Sequence, residues 1–409
     1  MGALWHGFAN MGAVEREGAF VISRGAGAYV WDSAGTRYLD ATAGLWFTNV
    51  GHGREEIAAA VADQIRRVAA YSTFGDYAVD TTAALAERLA RIAPVAGSKI
   101  FFTSGGSDSI DTAVKLARRY WREVGSPAKE IVVARQKAYH GMHVAGTALA
   151  GIPGNHDGYG QLMTDIGSVD WDSGKSLLEF VERVGSEKIA AFCCEPIIGA
   201  GGIYLPPDGY LAEVRQICRE HDILFVADEV ITGFGRMGGS WFASSRFDLQ
   251  PDLMTTAKGL TSGYVPMGAV FVAPRVAEPF FDPTGEAWWR HGYTYMGHAA
   301  AAAASMANLD IIEREGLLAQ ASRLETTLHE RFAPLAEHPA VAEIRSGLGA
   351  LTAVQLEDAS AAAGLARRLR AHGVATRAVG AGAIQVSPAF VMTDDQVDDL
   401  VAGFRTALG

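Results

Sequence analysis

Apolar positions along the 409-residue chain follow two rhythms. Lys99–Thr103, Glu130–Arg135, Ile189–Cys194, Ile223–Ala227, Leu253–Ala257 and Gly268–Ala273 are short apolar runs with polar or glycine flanks. That pattern predicts strands buried on both faces. Between them, apolar residues recur at helical spacing. Arg54–Ala70 carries Ile57, Val61, Ile65 and Val68, and Val79–Ile92 carries Leu85, Leu89 and Ile92. Ile110, Ala113, Val114, Ala117, Tyr120 and Trp121 share one further face. Ser176–Val184, Leu211–His221 and an Ala-rich stretch after His298 complete the set. Strands alternating with amphipathic helices predict an α/β domain over roughly 50–300 with a mainly parallel sheet. After about residue 315 the rhythm changes. Helix (Gly316–Ala336), strand (Ala350–Leu356), helix (Ser360–Ala371), strand (Ile384–Ser387) and helix (Asp394–Ala407) predict a smaller α+β unit. No internal period or low-complexity linker interrupts the chain.

The first 50 residues are rich in aromatics: Trp5, Phe8, Phe20, Tyr29, Trp31, Tyr38, Trp46 and Phe47. VWDSAGTRYLD reads as a hairpin turning at Ser33–Gly35. Some of these rings are expected in the core, the usual fate of such residues, and a minority could line an apolar pocket. Trp46, in the glycine-flanked GLWFTNVGHG, is the best candidate for lining an apolar substrate pocket.

Composition narrows the function. Apolar residues make up 49% and charged residues 20% of the chain, as in an ordinary globular enzyme. The net charge of −11 and the lack of a basic block argue against nucleic-acid binding. Cys193, Cys194 and Cys218 form no CxxC or metal spacing, and three buried, reduced thiols suit a cytoplasmic location. MGALWHGFANMG lacks the pattern of a signal peptide, and Ala299–Ala304 is too short to span a bilayer, so no membrane partner is expected.

The candidate chemistry lies at strand ends. In an open parallel sheet the C-terminal ends of the strands face the ligand crevice. One apolar run stops at Asp228-Glu229 and another at Lys258-Gly259. Two neighbouring strands would therefore aim a carboxylate and an amine at one spot. An amine in a water-poor cleft suits Schiff-base formation with an aldehyde cofactor, and a carboxylate against a pyridinium nitrogen would keep that ring electron-poor. The central expectation is that Lys258 binds pyridoxal 5′-phosphate (PLP) and Asp228 tunes it. The plainer reading of either residue alone is a solvated turn position. Ser104-Gly105-Gly106-Ser107, between a strand and a helix, reads as a phosphate site or as a simple cap with Ser107 or Asp108. Tyr139, just past a strand end, suits stacking on a flat ring, and His140 beside it suits a bond to a carboxyl or phosphoryl group. His140, His143, His156 and Asp157 have no recognised metal spacing. Glu195 ends a strand as a second acid or as a turn residue. GFGRMG, Gly233–Gly238, matches GxGxxG, but it follows its strand too late and precedes no amphipathic helix, which weighs against a nucleotide-binding α/β protein.

Taken together, Ser104–Asp111, Tyr139-His140-Gly141, Glu195-Pro196, the run Asp228–Arg236 (DEVITGFGR), Lys258-Gly259-Leu260 and His291–Tyr295 (HGYTY) resemble the class III PLP-dependent aminotransferases. The resemblance covers nearly the whole chain. It implies fold type I, with an N-terminal segment (1–50) that belongs to the small domain and the active-site entrance. A large PLP-binding domain (51–315) and the C-terminal part of the small domain (316–409) follow. It implies a homodimer with shared active sites. By position, Lys258 matches the Schiff-base lysine and Asp228 the partner of the ring nitrogen. Val230 and Tyr139 match the residues on the two ring faces. Gly106 and Ser107 match the phosphate turn, Thr294 a phosphate contact from the partner subunit, and Glu195 an acid near the cofactor. The family's turn usually reads Ser-Gly-Ser-Glu-Ala, so Gly105 lacks a hydroxyl here and backbone N–H groups would carry more of the phosphate. Within the family the chain is most similar to ω-transaminases, which pass an amino group from amines or ω-amino acids to pyruvate through pyridoxamine phosphate. Trp46, Phe8, Tyr139 and Arg377 are the matching substrate residues, with Arg377 as a mobile arginine that clamps a carboxylate or swings out when an apolar amine enters, or as an ordinary arginine at a strand end. An aminomutase or a decarboxylating aminotransferase is the alternative chemistry.

Overall fold

The computed structural model describes residues 3–409, so the first two residues of the 1–50 segment lie outside it. The strands, in chain order, are β1 (Ile22–Ala26), β2 (Tyr29–Asp32), β3 (Arg37–Asp40), β4 (Lys99–Thr103), β5 (Ile131–Arg135), β6 (Ile166–Val169), β7 (Ile189–Cys194), β8 (Leu224–Asp228), β9 (Leu253–Thr256), β10 (Gly268–Val272), β11 (Val341–Arg345), β12 (Thr352–Leu356), β13 (Val374–Ala375), β14 (Ala378–Val379) and β15 (Ala383–Val386).

A seven-stranded sheet, ordered β4-β10-β9-β8-β7-β5-β6, carries the large unit. From β9 to β6 every pairing is parallel, and β10 runs antiparallel to both β9 and β4. The mainly parallel α/β fold expected from the alternation is therefore borne out. Because two reversals cancel, β4 points the same way as β9. The C-terminal ends of β4, β5, β7, β8 and β9 thus share one edge, which is where a ligand crevice forms in such sheets. β7, β8 and β9 are buried at every position, which is why they read as unbroken apolar runs rather than alternating ones. The two faces fill separate cores. Phe192, Phe225 and Met254 face one, and Cys193, Val226 and Val270 face the other beneath the helix Gly106–Glu123.

Two smaller four-stranded sheets, β1-β2-β3-β13 and β11-β12-β15-β14, flank it. The hairpin predicted around Ser33–Gly35 is β2–β3, and β3 pairs in parallel with β13, bringing Leu39 and Asp40 against Val374 and Ala375. The helix Ala299–Arg314 lies between units. Ala301, Ala302 and Leu309 pack into the large core, and Ala304, Ile311 and Ile312 into the C-terminal one. A helix apolar all round is a buried helix, and alanine lets two cores approach its backbone. Leu317–Phe332 ends earlier than the periodicity predicts because Pro334 converts the last turn to a 3₁₀ segment, Ala333–Glu337. Among the described residues, no helix is long and apolar enough to cross a membrane.

Candidate active site

The shared strand edge opens into a cavity of about 360 Å³ lined by Gly105, Gly106, Ser107, Tyr139, His140, Glu195, Asp228, Val230 and Lys258, among others. Residues up to about 150 positions apart in the chain meet there because each ends a strand or follows one.

Asp228 is the last residue of β8 and is buried. Its Oδ1 accepts the Val230 N–H and the Thr255 hydroxyl, each at 3.1 Å, and its Oδ2 lies 2.7 Å from His140 Nδ1. His140 is fully enclosed. Burial opposes its charge, but the nearby Cys193 sulfur and the Asp228 carboxylate outweigh that, and its pKa rises well above the usual imidazole value. The result is a carboxylate whose charge is supported from behind by an imidazolium. His140 Nε2 is buried and has no hydrogen-bond partner.

Lys258 follows β9 at φ 40°, a left-handed backbone that costs a side-chain-bearing residue roughly 1–3 kcal/mol. Such strain persists only when the surroundings hold it. Here the Asn308 side-chain amide donates to the carbonyls of Gly259 (2.9 Å) and Leu260 (3.0 Å), pinning the turn from the helix behind. The Lys258 amine has no hydrogen bond or ion pair among the described residues. Burial lowers its pKa to about 8, against the attraction of Asp228 and Glu195. It is thus a partly deprotonated, unengaged nucleophile near neutral pH.

Glu195, just past β7, accepts N–H bonds from Tyr139 and Gly199, each at 2.9 Å, and burial raises its pKa. Arg135 at the end of β5 donates to the Glu195 carbonyl. At the opposite wall the helix Gly106–Glu123 begins with Gly105 as an N-cap that makes no side-chain cap bond. Asp108 turns back to accept the Ser104 N–H at 3.0 Å and lies 2.7 Å from His143. The Ser107 hydroxyl accepts the Met142 N–H at 3.1 Å, leaving its own proton to donate. A Cβ on Gly106 would lie 2.9 Å from Val230 Cγ1, and one on Gly141 would lie 2.5 Å from Ser107 Oγ. Glycine at these positions keeps the cradle open between helix and strand. Free helix N–H groups and the positive dipole end make this wall suited to an anion.

A second cavity, of about 480 Å³, shares Leu45, Tyr139, Ile231 and Lys258 with the first and adds Phe8, Trp46 and Arg377. Phe8 is exposed and meets Tyr139 edge-on, with centroids 6.4 Å apart. Trp46 is buried in a kinked helical turn, Ala43–Trp46, rather than an open loop. Arg377 lies over its ring, 4.6 Å from the centroid. Thr294 is exposed in the turn after His291 and does not line either cavity within one chain.

GFGRMG does not form a phosphate loop. Arg236 is fully buried and donates to Asn49 Oδ1 (2.6 Å) and to the carbonyls of Ala350 and Pro388, tying three segments together. Glu229 accepts N–H bonds from Ala243 and Ser244 and so caps the short helix Ala243–Arg246. Sequence reasoning missed Thr255, Asn308 and Cys193 as supports of the site. The one legible signal was Asn308, an amide inside an otherwise apolar helix. No three His, Cys, Asp or Glu residues converge as a metal site among the described residues.

The sequence model of the family described as Aminotransferase class-III matches residues 11–408. A putrescine–pyruvate aminotransferase of Pseudomonas aeruginosa is 38% identical, over 98% of this chain and 93% of that protein. A β-alanine–pyruvate aminotransferase of the same species is also 38% identical, over 74% and 72%. Among solved structures, an amine transaminase from an uncultivated Pseudomonas species, in its PLP-bound form, superposes with a TM-score of 0.94 at 34% identity, covering 100% of this chain and 98% of that one.

Proposed function

The chain belongs to the class III aminotransferases, whose cofactor is pyridoxal 5′-phosphate, and from that premise we propose that it moves an amino group from an amine or ω-amino acid to pyruvate or a similar keto acid. One observation carries the reading: Lys258 lines both the cavity at the helix start and the aromatic one, so cofactor and substrate chemistry would meet at a single residue. The names of both Pseudomonas aeruginosa relatives include pyruvate.

The residues present fit the cofactor. The uncapped helix start at Gly105-Gly106-Ser107 suits a phosphate, the Asp228–His140 pair suits a protonated ring nitrogen, and Val230 and Tyr139 suit its two faces. When bound, PLP supplies an aldehyde for amines and a ring that withdraws electrons. Lys258 then holds the cofactor and, once released, takes a proton from the substrate carbon as general base. Asp228 would face the ring nitrogen, and His140, 2.7 Å from Asp228 Oδ2, holds that carboxylate in place. Glu195 holds the Tyr139 backbone and the Gly199 turn in register. Arg377 binds a substrate carboxylate, while Phe8 and Trp46 enclose the substrate's apolar part. Thr294 acts on the phosphate of a second copy, which makes the unit a homodimer. In this reading residues 51–315 form the cofactor-binding domain and 1–50 with 316–409 the smaller one; the β3–β13 pairing supports joining the chain ends.

The test is a donor panel of β-alanine, taurine, a diamine and an arylalkylamine, with pyruvate as acceptor. Alanine should accumulate in step with donor loss. Turnover of any one donor without keto-acid consumption would instead indicate an aminomutase, and no turnover with any donor would reject the proposal.

A further inference from the structure

We propose that Gln385 is a specificity-determining residue, which fixes Arg377 as a stationary carboxylate receptor and so selects short keto acids and ω-amino acids over bulky amines that lack a carboxylate. The proposal rests on the reading of Arg377 as the carboxylate-binding residue.

Arg377 sits between β13 and β14, and Gln385 lies across from it on β15. The backbone roots are joined, because the Gln385 N–H donates to the Arg377 carbonyl at 3.1 Å and the Thr376 hydroxyl to the Gln385 carbonyl at 2.6 Å. The side chains are joined as well. Arg377 Nε donates to Gln385 Oε1 at 2.9 Å, and the guanidinium rests over Trp46. Gln385 is fully buried, and its own amide donates to Ser387 Oγ at 2.6 Å. Because Arg377 Nε can only donate, the amide cannot turn over without losing its bond to the arginine.

These contacts occupy Nε and one face of the guanidinium. Neither Nη nitrogen has a hydrogen-bond partner among the described residues. Burial lowers the pKa of Arg377 to about 10, which still leaves it charged at neutral pH. A half-buried guanidinium with two unpaired nitrogens is a ready fork for a carboxylate. A neutral amide is the right support: it orients the arginine without cancelling its charge, which a carboxylate at 385 would do. To admit a bulky apolar amine, Arg377 would have to leave both Gln385 and Trp46.

The experiment compares holoenzyme variants in steady-state kinetics. Gln385→Met keeps the volume and removes the acceptor. It should raise KM for pyruvate roughly tenfold with kcat nearly unchanged, the size expected for losing one charge-assisted hydrogen bond. Inhibition by propionate should weaken by the same factor. The visible spectrum of the bound cofactor should not change, and kcat/KM for 1-phenylethylamine should hold or improve. Ser387→Ala, which frees the far end of the glutamine, should shift KM in the same direction and carries the test if Gln385→Met does not fold. Wild-type KM for pyruvate in the glutamine or serine variant, alongside a large rise in Arg377→Ala, would overturn this inference and leave the arginine's role standing. An unchanged KM in Arg377→Ala would overturn both.

Discussion

Lys258→Ala is expected to lower turnover by at least ~10⁴-fold, because one substitution removes both the covalent anchor and the general base. The effect should be catalytic rather than structural. The Lys258 amine makes no hydrogen bond or ion pair among the described residues, and burial holds its pKa down at about 8. Removing it therefore breaks no internal bond, and the apo-protein should melt no lower than wild type. In the wild-type protein the rate of cofactor capture should climb with pH and level off above about 8, because only the deprotonated amine attacks an aldehyde and its fraction grows through that value. The alanine variant should show no such pH-dependent capture and no visible absorption from lysine-bound cofactor. Near-native turnover in that variant would refute the role of Lys258.

Asp228→Asn should lower kcat roughly 10²–10³-fold while leaving the fold intact, the scale of removing one preorganised electrostatic partner. The substitution is nearly isosteric, so the donors from Val230 and Thr255 still find an oxygen. What goes is the charge that helps sustain the His140 imidazolium and that is proposed to face the ring nitrogen. The His140 pKa should fall from its raised value, since burial disfavours the cation and only the Cys193 sulfur would remain to support it. Imidazole NMR shifts across a pH series would record that fall. Unchanged kinetics would remove Asp228 as the electronic partner.

How much of this was legible in the sequence follows from what each residue depends on. Strands buried on both faces announce themselves as apolar runs, so β5, β7, β8, β9 and β10 could be read directly, and β4, though at the sheet edge, carries a similar run. Lys258 and Asp228 were legible because a charged residue at the end of such a run has a defined direction. β6, Ile-Gly-Ser-Val, and β11, Val-Ala-Glu-Ile-Arg, were not legible, because polar residues and glycine interrupt their apolar positions. The reversal of β10 was equally invisible, since burial on both faces does not encode direction. The supports of the site were hidden for a different reason. Thr255 and Gln385 act through contacts made across the fold, with nothing local to set them apart, and only Asn308, an amide inside an otherwise apolar helix, leaves a trace in the sequence. Arg236 lies in the most recognisable motif of the chain, yet it bonds Asn49, Ala350 and Pro388 rather than any phosphate.

The most direct measurement is to incubate the purified protein with PLP, reduce it with borohydride, digest it and map the adduct by mass spectrometry. A phosphopyridoxyl group confined to the peptide bearing Lys258 is the predicted result. An adduct on a different lysine, or none on that peptide after full reduction, would contradict the assignment on which the rest of the account stands.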